Sequence, residues 1–172
     1  MEQSRMDIIN KRRSIRSFTN QPVSQEIIDF MLHAAMNAPS AHNQQAWHFI
    51  NITNHESMNT IARFHPYAKM MVKASGAILV CGNRDLMKIE ELWEQDCAAA
   101  TQNILLEAVY QGIGAVWVGI SHVKEYRDML RKLFDLPENI IPFSLIPFGY
   151  PESEKDPNDN YSSEKVSLDR WK

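Results

Sequence analysis

Four cationic side chains fall within six residues near the N-terminus, in the stretch KRRSIR at residues 11–16. They are Lys11, Arg12, Arg13 and Arg16, in a chain whose formal net charge is -3. Like charges this close repel one another, so the cluster predicts an anionic ligand among them. Guanidinium groups suit bidentate contact with phosphate, and the Ser14 hydroxyl is a further donor. The alternative is a solvated charged surface.

Uncharged hydrogen-bonding side chains are concentrated in a second stretch, APSAHNQQAW, at residues 38–47. Ser40, Asn43, Gln44 and Gln45 supply groups that donate and accept hydrogen bonds, as the polar edge of a heteroaromatic ring requires. The pattern fits a nucleotide-like or flavin-like ligand. It also fits an ordinary loop after a helix end, because proline, serine and asparagine are typical of loops.

A third stretch, GIGAVWVGI, covers residues 112–120. It lacks the G-x-G-x-x-G spacing after a strand, so it does not predict a dinucleotide-binding fold. Gly112 is explained by a helix end alone. Gly119, near the end of a predicted strand, favours close approach of a flat ligand to the backbone.

These stretches resemble the nitroreductase family of FMN-dependent oxidoreductases, and the resemblance covers almost the whole chain. The family motifs R-R-S-x-R-x-F, P-S-x-x-N-x-Q-P-W, Q-N, G-x-G-x-x-W-x-G and G-Y-P are matched in the same order, with Ala46 in place of the proline of the second motif. The matching residues are Arg12, Arg13, Ser14, Arg16 and Phe18, then Pro39, Ser40, Asn43, Gln45 and Trp47, then Gln102 and Asn103, then Gly112, Gly114, Trp117 and Gly119, and finally Gly149, Tyr150 and Pro151. Ordered motifs at family-like spacing are far more specific than any one of them.

The resemblance implies several groups of cofactor contacts. The ribityl phosphate and the polar ring edge of FMN would be bound by Arg12, Arg13, Ser14 and Arg16. The same flavin would be contacted from the partner subunit by a loop containing Pro39, Ser40, Ala41, Asn43 and Gln45. Its reactive N5 side would face backbone groups of Trp117, Val118 and Gly119. Where the family often has an arginine near the C-terminus, this chain has Asn160, so either Lys155 supplies the charge or FMN binds more weakly.

The resemblance further implies an α+β fold of the nitroreductase type, with a central mixed or antiparallel sheet flanked by helices and two chains intertwined in a homodimer. The implied activity is reduction of nitroaromatics, quinones or similar small-molecule acceptors by a ping-pong mechanism, with FMN as cofactor and NADH or NADPH as electron donor. The chemistry then takes place at flavin N5, and no catalytic side chain is required. A flavin-binding protein without turnover, for storage or sensing, would keep the same motifs and is the alternative.

Composition excludes several other classes of protein. The 172 residues are expected to form one domain, residues 1–172, and contain 44% hydrophobic and 23% charged residues, as globular proteins do. No apolar run approaches the roughly 20 residues of a membrane span, so we expect a cytoplasmic protein without membrane contact. The acidic net charge and the lack of a second basic stretch argue against nucleic-acid binding.

Cysteine and histidine spacing predicts no further chemistry. Cys81 and Cys97 have no C-x-x-C spacing and are expected to be reduced and structural. The six histidines show no metal-binding spacing, so no metal site is predicted. His122, directly after the third stretch, could reach a bound flavin, but a solvent-exposed loop histidine is the simpler interpretation.

Alternating helices and short strands must position these groups. Helices are predicted over residues 23–38 with Ser24 as N-cap, over 55–63, within 91–114 up to Gly112, and over 124–134. Strands are predicted over residues 46–53, 76–83, 115–120 and 140–151. Amphipathic turns are expected within residues 4–14. A polar tail from residue 152 ends near Trp171, which is expected to dock on another surface.

Overall fold

Four α-helices lie wholly within residues 8–171, the part of the chain that the computed structural model describes. Their bounds are Gln25–Met36 (α1), His55–Phe64 (α2), Trp93–Tyr110 (α3) and Lys124–Leu133 (α4). Each lies inside its predicted range or exceeds it by one residue. The predicted amphipathic turns over residues 4–14 lie partly outside the described residues, and residues 8–11 are helical.

The helix ends follow the capping rules that the sequence indicates. At the start of α1, the Ser24 hydroxyl accepts a hydrogen bond from the Ile27 N–H at 3.4 Å. Beyond the end of α3, Gly112 has a φ of 72°, and the Ile113 N–H donates to the Ala108 carbonyl at 2.7 Å. Glycine adopts this left-handed conformation without steric cost, so Gly112 is explained as a helix terminator.

Within the described residues, five strands form one sheet between the helices. They are Trp47–Ile52 (β1), Gly76–Asn83 (β2), Gly114–Ala115 (β3), Val118–Gly119 (β4) and Ile140–Gly149 (β5). The order is β1-β2-β5-β3, β4 also pairs with β5, and all these pairs are antiparallel. The predicted α+β class with a central sheet flanked by helices is confirmed, whereas the intertwined homodimer stays a prediction.

The predicted single strand over residues 115–120 is wrong, because β3 and β4 are separate elements on either side of Val116 and Trp117. Both pair with β5 in one register, so Val116 lies opposite Pro147. The Val116 N–H donates to the Pro147 carbonyl at 3.2 Å. Proline has no N–H to donate in return, so the hydrogen-bond ladder is interrupted at this point.

Helices cover both faces of the sheet, as the side chains of β2 show. Ile78 and Val80 pack in the cluster that contains residues of α1 and α3, and Leu79 and Cys81 pack in the cluster with α2 and α4. All four side chains are fully buried. A strand buried on both faces reads as a continuous apolar run, as GAILVCGN does.

Cys81 and Cys97 are free and buried. Burial raises the pKa of the Cys81 thiol to about 12. Burial also raises the pKa of the Cys97 thiol, and the neighbouring Cys81 and Asp96 contribute in the same direction. Protonated, enclosed thiols have little reactivity, which agrees with a structural role.

The chain beyond β5 runs mainly as loop. Residues 152–171 contain one short 3-10 turn, Ser163–Lys165. Trp171 is 95% exposed, so its expected docking surface stays a prediction. None of the helices described in residues 8–171 is long and apolar enough to cross a membrane.

Candidate functional site

A cavity of about 660 Å³ opens beside β4, between the loop after α2 and the start of α4. Small-molecule sites typically enclose about 300 to 1,000 Å³. Its walls are formed by Arg16, His65, Pro66, Tyr67, Lys69, Met70, Val116, Trp117, Val118, Gly119, His122, Val123 and Tyr126. Four of the predicted site residues therefore meet in one cavity, namely Arg16, Trp117, Val118 and Gly119.

Gly119 and Trp117 form a flat part of the cavity wall that a ligand can reach. A Cβ atom on Gly119 would lie 3.1 Å from Cε1 and 3.4 Å from Nδ1 of His122, so a larger residue would displace that ring. Trp117 is 36% exposed, and its indole meets the Phe143 ring edge-on at 5.8 Å. An exposed indole close to a residue without a side chain suits a flat ligand.

His65 ties three parts of the cavity wall together. Its Nε2 lies 3.3 Å from the Gly119 carbonyl oxygen, and its Nδ1 accepts a hydrogen bond from the Tyr67 N–H at 3.2 Å. The centroid of its ring lies 4.1 Å from the centroid of the Tyr126 ring on α4. Because Nδ1 is an acceptor, Nε2 carries the proton and donates to Gly119.

The surroundings of His65 favour this neutral form. Burial lowers the pKa of His65, the hydrogen bond to the Gly119 carbonyl opposes that effect, and the nearby His122 lowers the pKa again. With 1% of its surface exposed, His65 has almost no water to stabilise a positive charge. A second ring proton would also point at the Tyr67 N–H, so protonation would break that contact.

The charged groups of the cavity are cationic. Arg16 has no hydrogen-bond or ion-pair partner within residues 8–171. Lys69 reaches the cavity from the loop after α2, and its Nζ donates to the Ala62 carbonyl at 3.0 Å. Of the residues that the structure describes, no aspartate or glutamate lines this cavity. An anionic or electron-rich ligand edge would therefore meet no repulsion here.

The rest of the cationic cluster lies toward the C-terminal tail. Arg13 and Lys155 line a second cavity of about 280 Å³. Arg13 donates to the Asp156 carbonyl, and Lys155 Nζ donates to the Ser14 carbonyl at 2.9 Å. Arg12 is half-buried, and its guanidinium has no partner within the described residues. Lys155 thus contacts the backbone of the cationic cluster, and its role in phosphate binding stays a prediction.

The loop at residues 38–46 lies apart from both cavities. Pro39, Ser40, Ala41, Asn43 and Gln45 line neither of them. The loop is held by its own side chains, since the Gln45 N–H donates to the Ser40 hydroxyl and the Gln45 amide donates to Asn43 Oδ1, both at 3.0 Å. Contact between this loop and a flavin of the partner subunit stays a prediction.

Backbone strain sets this loop apart from the other connections. His42, Asn43 and Gln45 have φ values of 49°, 50° and 47°. Non-glycine residues rarely adopt this left-handed region, and such positions persist only where the surrounding structure fixes them. Three of them in four residues require strong local restraint.

Gln44 and Asp96 supply that restraint, and sequence reasoning missed this role. The Gln44 amide donates to Asp96 Oδ2 at 2.6 Å, and its carbonyl oxygen accepts from the N–H groups of Lys88 and Ile89 at 2.8 and 3.0 Å. Asp96 Oδ1 accepts from the Ala41 N–H at 2.8 Å. Both side chains are buried, so Gln44 anchors the loop to the first turn of α3.

Sequence reasoning also missed most of the cavity wall outside β4. The missed residues are His65, Pro66, Tyr67, Lys69, Met70, Val116, Val123 and Tyr126. Pro66 marks a turn after α2, but nothing in the local pattern shows that this turn meets β4 and α4. Among residues 8–171, no cluster of three or more histidine, cysteine or acidic side chains could hold a metal ion.

The chain matches the model of the nitroreductase family over residues 9–80 and 67–150. It is 43% identical over 171 residues to a protein of Methanothermobacter thermautotrophicus provisionally named NADH dehydrogenase/NAD(P)H nitroreductase. That alignment covers 98% of this chain and 90% of the relative.

Solved structures show the same fold. A Clostridium acetobutylicum protein provisionally named NADH oxidase is 43% identical, with a TM-score of 0.93 and coverage of 96% of this chain and 100% of that chain. A Desulfovibrio desulfuricans protein, provisionally named a nitroreductase and solved in complex with FMN, is 28% identical. Its TM-score is 0.83, and 97% of each chain is covered.

Proposed function

Because this chain belongs to the nitroreductase family, we propose that it binds FMN and uses NADH or NADPH to reduce a nitroaromatic, a quinone or a similar small acceptor. The observation that carries the proposal is the cavity beside β4, where the exposed Trp117 indole, the Gly119 backbone and the Arg16 guanidinium lie together. The FMN complex of the 28% identical Desulfovibrio protein supports the choice of cofactor.

The residues present fit FMN in polarity and shape. The aromatic ring system needs apolar walls with polar groups at one edge, which Trp117, Tyr126 and Arg16 provide. The phosphate needs cations, and Arg12 has a guanidinium without a partner within residues 8–171. No acidic side chain among the described residues lines the cavity.

When bound, FMN supplies hydride chemistry that no amino-acid side chain can perform. The chain would hold it in place. Arg12, Arg13 and Ser14 would bind the phosphate, and Arg16 would contact the polar ring edge. His65 would fix the Gly119 carbonyl, and with it the backbone that faces the ring. Nucleotide and acceptor would then use the same cavity in turn, which predicts ping-pong kinetics with parallel double-reciprocal lines.

The proposal includes a homodimer in the cytoplasm. The strained loop at residues 38–46 lies in neither cavity, which agrees with a contact across a subunit boundary. In the tail, Tyr161, Leu168 and Trp171 are 78%, 85% and 95% exposed. Large apolar side chains with this degree of exposure are typical of a segment that packs against another molecule.

The test is to purify the protein, identify any released chromophore by chromatography, and then reduce it anaerobically. We expect a yellow protein that releases FMN on denaturation. NADH or NADPH should bleach the bound flavin, and a nitroaromatic or quinone should restore its colour in repeated cycles. A colourless protein that does not bind added FMN would contradict the proposal. Bound flavin that neither nucleotide reduces would favour storage or sensing instead.

A further inference from the structure

Two histidines lie next to Gly119 in the cavity wall. His65 is enclosed, and its Nε2 lies 3.3 Å from the Gly119 carbonyl oxygen. The ring of His122 packs near the Cα of this glycine, where a Cβ atom would come within 3.1 Å of it. The chain thus places two imidazoles at the point where the flavin ring is proposed to lie.

The two imidazoles differ in what they can do. His65 is 1% exposed and both of its ring nitrogens already have backbone partners, so it has no free nitrogen for proton exchange. His122 is exposed and lines the cavity, and its ring nitrogens have no hydrogen-bond partner within residues 8–171. His65 is therefore a positioning residue, and His122 is available to a ligand and to water.

Reduction of the proposed acceptors consumes protons as well as electrons. A quinone becomes a hydroquinone by taking up two electrons and two protons; one hydrogen arrives with the electron pair as hydride, and the other must arrive as a proton on the remaining oxygen. The other cavity-lining side chains with exchangeable protons are Arg16, Tyr67, Lys69 and Tyr126. Among side-chain types, histidine is the one that ordinarily gains and loses a proton between about pH 5 and pH 8, which suits it to general-acid catalysis.

We propose that His122 donates this proton to the acceptor, an inference that rests on the proposed function. As the quinone takes up hydride supplied by the reduced cofactor, an N–H bond of the His122 imidazolium would break and an O–H bond would form on the quinone oxygen that does not receive the hydride. The imidazole is left neutral and takes a new proton from water at the cavity mouth. Among the described residues, no carboxylic acid lines the cavity as an alternative proton donor. This adds a catalytic side chain where the family resemblance implied none.

The experiment uses the FMN-loaded protein, reduced with NADH and then mixed with an acceptor in a stopped-flow instrument. Two acceptors are compared: a simple quinone, which needs a proton, and ferricyanide, an iron complex that takes electrons without one. In His122→Gln we expect reoxidation by the quinone to slow about a hundredfold, the low end of general-acid effects, and reoxidation by ferricyanide to keep its rate. His48→Gln, an exposed histidine of β1 outside the cavity, is the matched control and should behave as wild type with both acceptors.

A second readout does not depend on turnover. The His122 imidazole is titrated by NMR in the wild-type protein, and its midpoint should match the pH at which the rate of the quinone phase falls as pH rises. Equal slowing with both acceptors would overturn the proposal, because His122 would then only shape the cavity. Unchanged reoxidation by the quinone would also overturn it, since water would be the proton source. If NADH and NADPH fail to reduce the wild-type flavin at all, the proposed function itself has failed.

Discussion

His65 stays neutral in the folded chain because burial disfavours the imidazolium and both ring nitrogens have backbone partners. Its folded pKa is lowered, so the unfolded chain takes up this proton first, near pH 6.5. Stability from this group is therefore complete above about pH 6.5 and is lost as pH falls through the folded pKa. We expect His65→Gln to be less stable than the wild-type protein at pH 7.5. Between pH 7 and pH 5, however, its free energy of unfolding should fall by less than that of the wild-type protein.

Urea unfolding at a series of pH values measures this difference in slope. Gln keeps a donor near the position of Nε2 but cannot be protonated, so it separates the proton effect from simple loss of a side chain. His48→Gln, exposed on β1, should retain the wild-type slope. Parallel curves for His65→Gln and wild type would show that the proton uptake occurs elsewhere.

Arg16 is expected to contribute to the affinity for FMN. Its guanidinium lines the cavity and has no partner within residues 8–171. A charge-assisted hydrogen bond to a ligand contributes roughly 1.5 to 3 kcal/mol. Arg16→Ala should therefore weaken FMN binding about tenfold or more in a fluorescence titration of the apoprotein. Arg63→Ala, at the exposed end of α2, should bind as wild type; equal affinity in all three proteins would make Arg16 a solvated surface residue.

Cys81 and Cys97 are expected to be unreactive in the native protein, because both thiols are enclosed and protonated. Burial raises the pKa of Cys81 to about 12 and also raises the pKa of Cys97. Alkylating reagents attack the thiolate, so the native protein should resist iodoacetamide at pH 8, and both cysteines should react in urea. Mass spectrometry counts the adducts. Modification of either thiol under native conditions would show that its surroundings open readily.

At the scale of the element, the strained loop depends on its anchor to α3. Asp96 accepts hydrogen bonds through both carboxylate oxygens, from Ala41 and Gln44. Asp96→Asn replaces one acceptor with a donor that faces another donor, which should lower the free energy of unfolding by about 1 to 3 kcal/mol. Chemical denaturation measures it, with the exposed Glu94→Gln in the same helix turn as control. Wild-type stability in Asp96→Asn would mean that the loop is held by other contacts.

Most helices and strands could be predicted from local sequence patterns, whereas the exceptions depend on residues that are distant in sequence. Ser24, the apolar stripe after it and Gly112 were enough to place α1 and the end of α3, because caps and periodicity are local. The break between β3 and β4 depends on Pro147, which lies some thirty residues away and meets Val116 only in the folded sheet. No single-sequence pattern contains that pairing.

The same distinction divides the candidate site. Arg16, Trp117 and Gly119 could be identified because family motifs mark them, and the cavity brings them together. Gln44 was grouped with the ligand-binding amides of its loop, but its side chain turns inward to Asp96, a partner 52 residues away. A lone histidine such as His65 carries no signal at all until β4 and α4 pack against it.

At the scale of the whole molecule, the proposed dimer links cofactor binding to subunit association. If the loop at residues 38–46 completes the partner's flavin site, each FMN is bound by two chains, and anything that separates the chains also releases FMN. Leu168 and Trp171 are the most exposed of the apolar tail residues that would contact the partner. Dilution of the yellow protein should therefore release monomer and free FMN together, and Leu168→Ser with Trp171→Ser should shift both to higher protein concentration.

Analytical ultracentrifugation that records protein and flavin absorbance separately follows the two processes in one sample. We expect the flavin signal to leave the protein boundary at the concentration where the dimer dissociates. Val166→Ser, at a third exposed tail position, tests whether the loss of dimer stability is spread along the tail or confined to its end. A monomer that retains FMN at every concentration would contradict the shared site. It would also leave the three left-handed residues of this loop without a proposed role, since backbone strain of this kind is typically found where a segment binds a ligand or a partner.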